Sequence, residues 1–249
     1  MNPRLTATTA RRILQQLRRD HRTVALLLVV PMLLLTLLWW MFGDTPDPAT
    51  GQPLFDPLGA RLMGLFPMIL MFIITSVSTL RERTSGTMER LMASPLRRSD
   101  VVLGYASAFG LVAIVQGTLL VVFTVYALGL EIAGATSALV LVIALDALLG
   151  TALGLAASSL ARTEFQAVQM MPAVLLPQLL IAGLFMPRED MPRALELISN
   201  ALPMSYSIDA INDLVAGDTA GIWPEVAILA AFIAGALALG VVTLRRRTA

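Results

Sequence analysis

The sequence contains no cysteine and no lysine, so its 18 basic residues are all arginine. Without cysteine there is no disulfide, no thiolate nucleophile and no thiolate metal site. Without lysine there is no Walker A loop to hold a nucleotide, no Schiff-base amine and no kinase strand lysine. The single histidine, His21, sits among arginines near the N-terminus, so neither a histidine zinc site nor a serine–histidine pair is expected, and no metal is assigned. Charge is also scarce: 14% of the 249 residues are charged and 57% are hydrophobic, with mean hydropathy +0.77. Soluble domains carry about 25% charged residues. The chain therefore has more apolar surface than one soluble core can enclose, and the net charge of +1 offers nothing to nucleic acid.

What is present is long apolar runs. Crossing about 30 Å of hydrocarbon takes about 20 helical residues. Six runs qualify, at residues 24–42, 62–80, 101–128, 138–160, 168–186 and 225–244. The fold class expected is an all-α polytopic membrane protein with six transmembrane helices. The whole of 1–249 is taken as one transmembrane domain, with a tail at 1–23, a loop at 81–100 and an outer segment at 187–224. The first run ends in Trp39, Trp40, Met41 and Phe42 with no small-residue cleavage site after it, so it is expected to be a span and not a signal peptide.

The arginines sort to one side of these spans. Six lie in the N-terminal tail, five after span two, one (Arg162) after span four and three at the C-terminus; only Arg61, Arg188 and Arg193 fall on the other side. Positive residues stay on the cytoplasmic side, so both termini are expected there. Most acidic residues and all three tryptophans fall toward the opposite face. In the tail, Ala10, Ile13, Leu14 and Leu17 share a helical face, predicting a helix that lies on the inner leaflet.

Residues 81–100 read RERTSGTMERLMASPLRRSD. Gly86 and Thr87 follow a polar cluster, Glu89 sits where a first helical turn favours a carboxylate, and Pro95 stops the run. Met88, Leu91 and Met92 fall on one face of this short helix, which can dock in a partner's groove or pack on the protein's own span ends. The string from Glu82 and Arg83 through Gly86, Thr87, Met88, Glu89 and Leu91 to Ser94 and Pro95 resembles the E-R-x-x-G-T-x-E-x-L-x-x-[ST]-P segment of type-2 ABC export permeases. A second similar pattern is Met191-Pro192 and Leu202-Pro203 followed by Tyr206, Asp209 and Ala210. The resemblance implies that 82–95 is a coupling helix contacting a separate ATPase subunit, with Glu82, Arg83, Gly86, Thr87, Met88, Glu89, Leu91, Met92 and Pro95 as the coupling residues. It also implies a second permease chain, an identical copy being favoured. ATP and magnesium would be held by the ATPase and no cofactor by this chain. The compartment implied is a bacterial inner membrane.

Inside the bilayer, span two passes from Met68, Met71 and Phe72 to Thr75 and Thr79. With Pro172, Pro177 and Gln178 of span five, these are the expected translocation path for a hydrophobic or amphipathic cargo such as a drug, lipid or glycolipid; ordinary helix packing accounts for them equally. Asp146 and Gln116 form a possible polar site, or serve as hydrogen-bonded glue between helices. Gly150-x-x-x-Gly154 is expected to let two helices approach closely. Residues 187–224 should form two short helices whose apolar face, with Ile208, Ile211, Leu214 and Val215, dips into the outer leaflet. The alternative is an ion-coupled secondary transporter, which needs an ionisable relay where only Asp146 stands.

Overall fold

The computed structural model describes residues 3–46, 51, 53–86 and 98–243. Among these there are nine α-helices and no strand: α1 (Pro3–Arg19), α2 (His21–Phe42), α3 (Phe55–Thr84), α4 (Arg98–Tyr126), α5 (Thr136–Leu160), α6 (Glu164–Ile181), α7 (Arg193–Ser199), α8 (Pro203–Ala216) and α9 (Trp223–Thr243). A 3-10 turn, Arg188–Asp190, precedes α7. The protein is thus an all-α polytopic membrane protein.

Five helices, α2, α3, α4, α5 and α9, are long and apolar enough to cross a membrane by length and composition. The run expected at 168–186 differs. Its helix begins earlier, where the Thr163 hydroxyl accepts from the Gln166 amide, and ends at Ile181, with Ala182 as the cap before Gly183 turns into the left-handed region at φ 96°. Two prolines and Gln166, Gln169 and Gln178 make α6 less apolar than the others. The segment 164–184 nevertheless lies alongside residues 61–81 of α3. Arg81 pairs with Glu164 at one end, and Arg61 donates to the Leu184 carbonyl at the other. The 20 residues from 61 to 81 rise about 30 Å, one hydrocarbon thickness.

The core is built on α5, the most buried span, packed along α3. Gly150 and Gly154 explain this directly. A Cβ on Gly150 would collide with the Met68 carbonyl, and one on Gly154 would sit 2.6 Å from the Phe72 carbonyl. The G-x-x-x-G expectation holds: backbone meets backbone along this seam. Around it α4, α8 and α9 complete the bundle, while α2 and α9 leave most of their surface exposed.

Both amphipathic helices find partners within the chain. The apolar face of α1 does not rest on lipid alone: Ile13 and Thr9 are buried against Val101, Val102, Tyr105 and Gly104 at the start of α4. Likewise Ile208, Ile211 and Leu214 of α8 are buried against α3 and α5, with Val215 partly buried beside them. In both cases a protein surface was available to cover the apolar stripe, which sequence periodicity does not reveal. Between α1 and α2, Asp20 caps the second helix. Its carboxylate accepts from the Thr23 hydroxyl at 2.6 Å and the Thr23 amide at 3.2 Å, and those bonds hold it below the ordinary carboxylate range.

Candidate functional site

The last turn of α3 carries three consecutive charged residues, each fixed to a different element. Arg81 makes a forked pair with Glu164 at the start of α6, at 2.7 and 2.8 Å, with both side chains largely exposed. Glu82 points inward. Its carboxylate accepts from Arg12 of α1 at 2.7 Å and from the Tyr105 hydroxyl of α4, and its side chain is 14% exposed. Arg12 also donates to the Tyr105 oxygen at 3.2 Å. Arg83 donates to the carbonyls of Ser158 and Ser159, where the last turn of α5 leaves acceptors without helical donors. Successive helical residues point 100° apart, so three in a row can reach three directions. The end of α3 is thereby joined to α1, α4, α5 and α6.

Glu82 and Arg83, expected as coupling residues, both have their side chains committed within the chain. Gly86 follows at φ 74°, with nothing within 4 Å of the position a Cβ would take, so the backbone turn and not lack of space demands glycine there. Thr87, Met88, Glu89, Leu91, Met92 and Pro95 lie outside the described residues.

The expected path residues are mostly inside the bundle. Met68, Met71 and Phe72 are fully buried. Thr75 and Thr79, one turn apart, are buried with hydroxyl oxygens that have no partner among the described residues. Gln178 is buried and donates back to the Val174 carbonyl at 2.9 Å, leaving its Oε1 unpaired there. Pro177 faces outward and Pro172 is half-buried.

The two polar candidates do separate things. Gln116 donates through Nε2 to the Leu27 carbonyl of α2 at 3.0 Å. Pro31 stands four residues after Leu27 and has no N–H, so that carbonyl lacks its helical donor and Gln116 supplies one. Asp146 is buried beside Gly64 and accepts from the Ser207 hydroxyl of α8, while its Oδ1 has no partner among the described residues. Arg61, Met68, Met204 and Ile208 surround the same small void.

The end of the bundle that carries α7 and α8 has a network that sequence reasoning missed. Arg61 donates to the Asn212 Oδ1 at 2.7 Å, holding α8 to α3. Arg188 pairs with Asp209, donates to Asn200 and lies over the Tyr206 ring at 5.4 Å, while the Tyr206 hydroxyl donates to the Asn200 carbonyl at 2.6 Å. The signal available was the group Tyr206, Asp209 and Ala210. Their acceptor Asn200 and cation Arg188 carried no motif.

Residues 4–215 match the family model described as ABC-2 type transporter. The chain belongs to that family. It is 27% identical over 175 residues to the probable multidrug ABC transporter permease YbhR of Escherichia coli strain K12, covering 68% of this chain and 48% of YbhR. It is 28% identical over 161 residues to the inner membrane transport permease YhhJ of the same strain, covering 63% of this chain and 43% of YhhJ. It is 30% identical over 142 residues to ABC transporter G family member 20 of Dictyostelium discoideum, covering 57% of this chain and 20% of that protein. The chain thus spans less than half the length of these relatives. Within the ABC-2 family match lie α1 to α7, nearly all of α8, the α3 terminus and both polar ties.

Proposed function

We propose that this chain is the membrane-spanning permease of an ATP-driven exporter whose energy comes from a separate ABC ATPase subunit. ATP and magnesium are held by that ATPase. The observation that carries the reading is the last turn of α3, where Arg81, Glu82 and Arg83 connect the chain leading into 87–97 with α1, α4, α5 and α6. A push on the segment after Gly86 reaches four elements through these contacts. Glu82 and Arg83 act as positioning residues in this scheme, and the ATPase contact falls to Met88, Glu89, Leu91 and Met92. Nucleotide can shift the bundle only through contacts that differ between its two states.

With six crossings, the termini and 81–100 lie on the cytoplasmic side, in the order expected from the arginine distribution. The chain works with a second permease, an identical copy being favoured. Relatives named as multidrug and transport permeases support a hydrophobic or amphipathic cargo. Since Met68, Met71 and Phe72 are closed between α3 and α5, a passage along them, Thr75, Thr79, Pro172, Pro177 and Gln178 opens only when α3 moves relative to its neighbours.

The test is reconstitution in liposomes with and without an ABC ATPase that co-purifies with this chain. Efflux of a hydrophobic dye should require that subunit and ATP, and Glu89→Arg should abolish the ATP dependence while leaving the permease inserted. Dye movement by this chain alone, driven by an ion gradient, would establish the secondary transporter instead.

A further inference from the structure

α1 and α4 touch closely at one point and then part. A Cβ on Gly104 would lie 2.7 Å from the Thr9 Cβ, so the helices meet there almost without side chains between them. Beyond the crossing they diverge around small residues, Ala7 and Ala10 on α1 and Ser107 on α4. The result is an open groove of about 780 Å³, also lined by Leu14 and Leu111, with Arg11 at its edge. That volume lies within the range of small-molecule sites, about 300 to 1,000 Å³.

Three features identify the occupant. The lining is apolar apart from Arg11 and two hydroxyl residues, Thr6 and Ser107. Arg4, Arg11 and Arg18 recur every seven residues, and a helix drifts only about 20° per heptad, so the three fall on one face of α1, with Arg11 lining the groove. Finally, the groove does not end at Leu111. The exposed side chains Leu111, Ile114, Val115, Leu119 and Val122 continue it as one apolar stripe along α4, away from the end that holds α1. A cationic mouth leading into an apolar track has the polarity of a phospholipid: anionic head at one end, acyl chain running toward the bilayer centre.

We propose that the α1–α4 groove is a binding site for one anionic phospholipid, its phosphate on Arg11 and an acyl chain along Leu14, Leu111 and the exposed face of α4. The site rests on the proposed orientation only in that α1 then lies at the cytoplasmic leaflet, where anionic lipids concentrate. The lipid wedges α1 against α4 next to the Arg12–Glu82–Tyr105 cluster, so its occupancy bears on how firmly the end of α3 is held.

The test is native mass spectrometry of the detergent-purified permease given equal amounts of phosphatidylglycerol and phosphatidylcholine. The wild-type chain should retain one phosphatidylglycerol in preference, and its melting temperature should rise on adding that lipid alone. Arg11→Gln, an exposed change, should reduce the preference about fivefold, the effect of one basic residue near an anionic surface. Arg11→Lys should keep most of it, and Ala10→Trp should displace both lipids by filling the groove. Unchanged retention in Arg11→Gln and Ala10→Trp would overturn the site. An Ala10→Trp chain that keeps its lipid but loses self-association would assign the groove to a second copy instead. Neither ATP nor cargo enters the measurement, so its failure leaves the exporter reading intact, and failure of ATP-driven efflux leaves the lipid site intact.

Discussion

At the residue scale, two buried polar side chains each tie one helix to another. Gln116 serves the carbonyl that Pro31 leaves unpaired, so Gln116→Leu should destabilise the protein by about 1–3 kcal/mol, the cost of a buried acceptor without a donor. The explanation carries its own check. Pro31→Ala restores a backbone N–H, and in the Gln116→Leu background it should recover most of the lost melting temperature; no recovery would mean that Gln116 matters for another reason. Asp146 is bonded to Ser207, sixty-one positions away on α8. Ser207→Ala should cost about 1–3 kcal/mol because it leaves the carboxylate unpaired, whereas Asp146→Asn keeps an acceptor and should melt close to wild type. If Ser207→Ala melts with the wild type, the link between α5 and α8 is not holding the outer helix. The contact also answers part of what the bare sequence leaves open: one oxygen of the intramembrane carboxylate accepts from a hydroxyl, while the other has no partner among the described residues.

At the element scale, the α3–α5 seam and the α8 surface respond to different perturbations. Gly150→Leu puts a side chain where the Met68 carbonyl already lies, and overpacking of this kind costs about 1–3 kcal/mol or more when backbone must move. Gly235→Leu, on α9 with nothing within 4 Å of its Cβ position, is the matched control. Membrane level and melting temperature should fall for the first and hold for the second. On α8 the effect is one of pH. Asp209 and Asp213 are both held above the ordinary carboxylate range, chiefly by burial; Arg188 opposes the rise at Asp209, while Glu225 and Asp218 add to it at Asp213. Between the unfolded and the raised folded value, the folded state binds more protons. Lowering the pH through that window therefore stabilises the folded arrangement, and raising it removes the gain. Hydrogen exchange of 203–216, corrected for its intrinsic pH dependence, should slow on acidification, and Asp213→Asn should flatten the trend.

At the scale of the whole molecule, topology is the first thing to test. The absence of cysteine makes single-cysteine labelling clean: with an impermeant reagent, position 196 should label from outside and position 84 only after the membrane is opened. The reverse pattern would invert the assignment. Much of this architecture was legible in the sequence, because apolar length and G-x-x-x-G depend on local spacing that physics reads directly. The partners were not legible. Glu82 finds Arg12 seventy positions away and Gln116 finds Leu27 eighty-nine away. Periodicity tells which side chains share a face and says nothing of which helix that face will meet. So the string after span two could be recognised as a whole, while the inward commitment of its first two residues could not. The fastening of α3 has a last consequence. In the proposed exporter the coupling free energy between the two sites is symmetric: whatever factor nucleotide imposes on cargo affinity, cargo must impose on nucleotide affinity. In that scheme the end of α3, tied by Arg81, Glu82 and Arg83 to its neighbours, would sense cargo as much as it transmits a push.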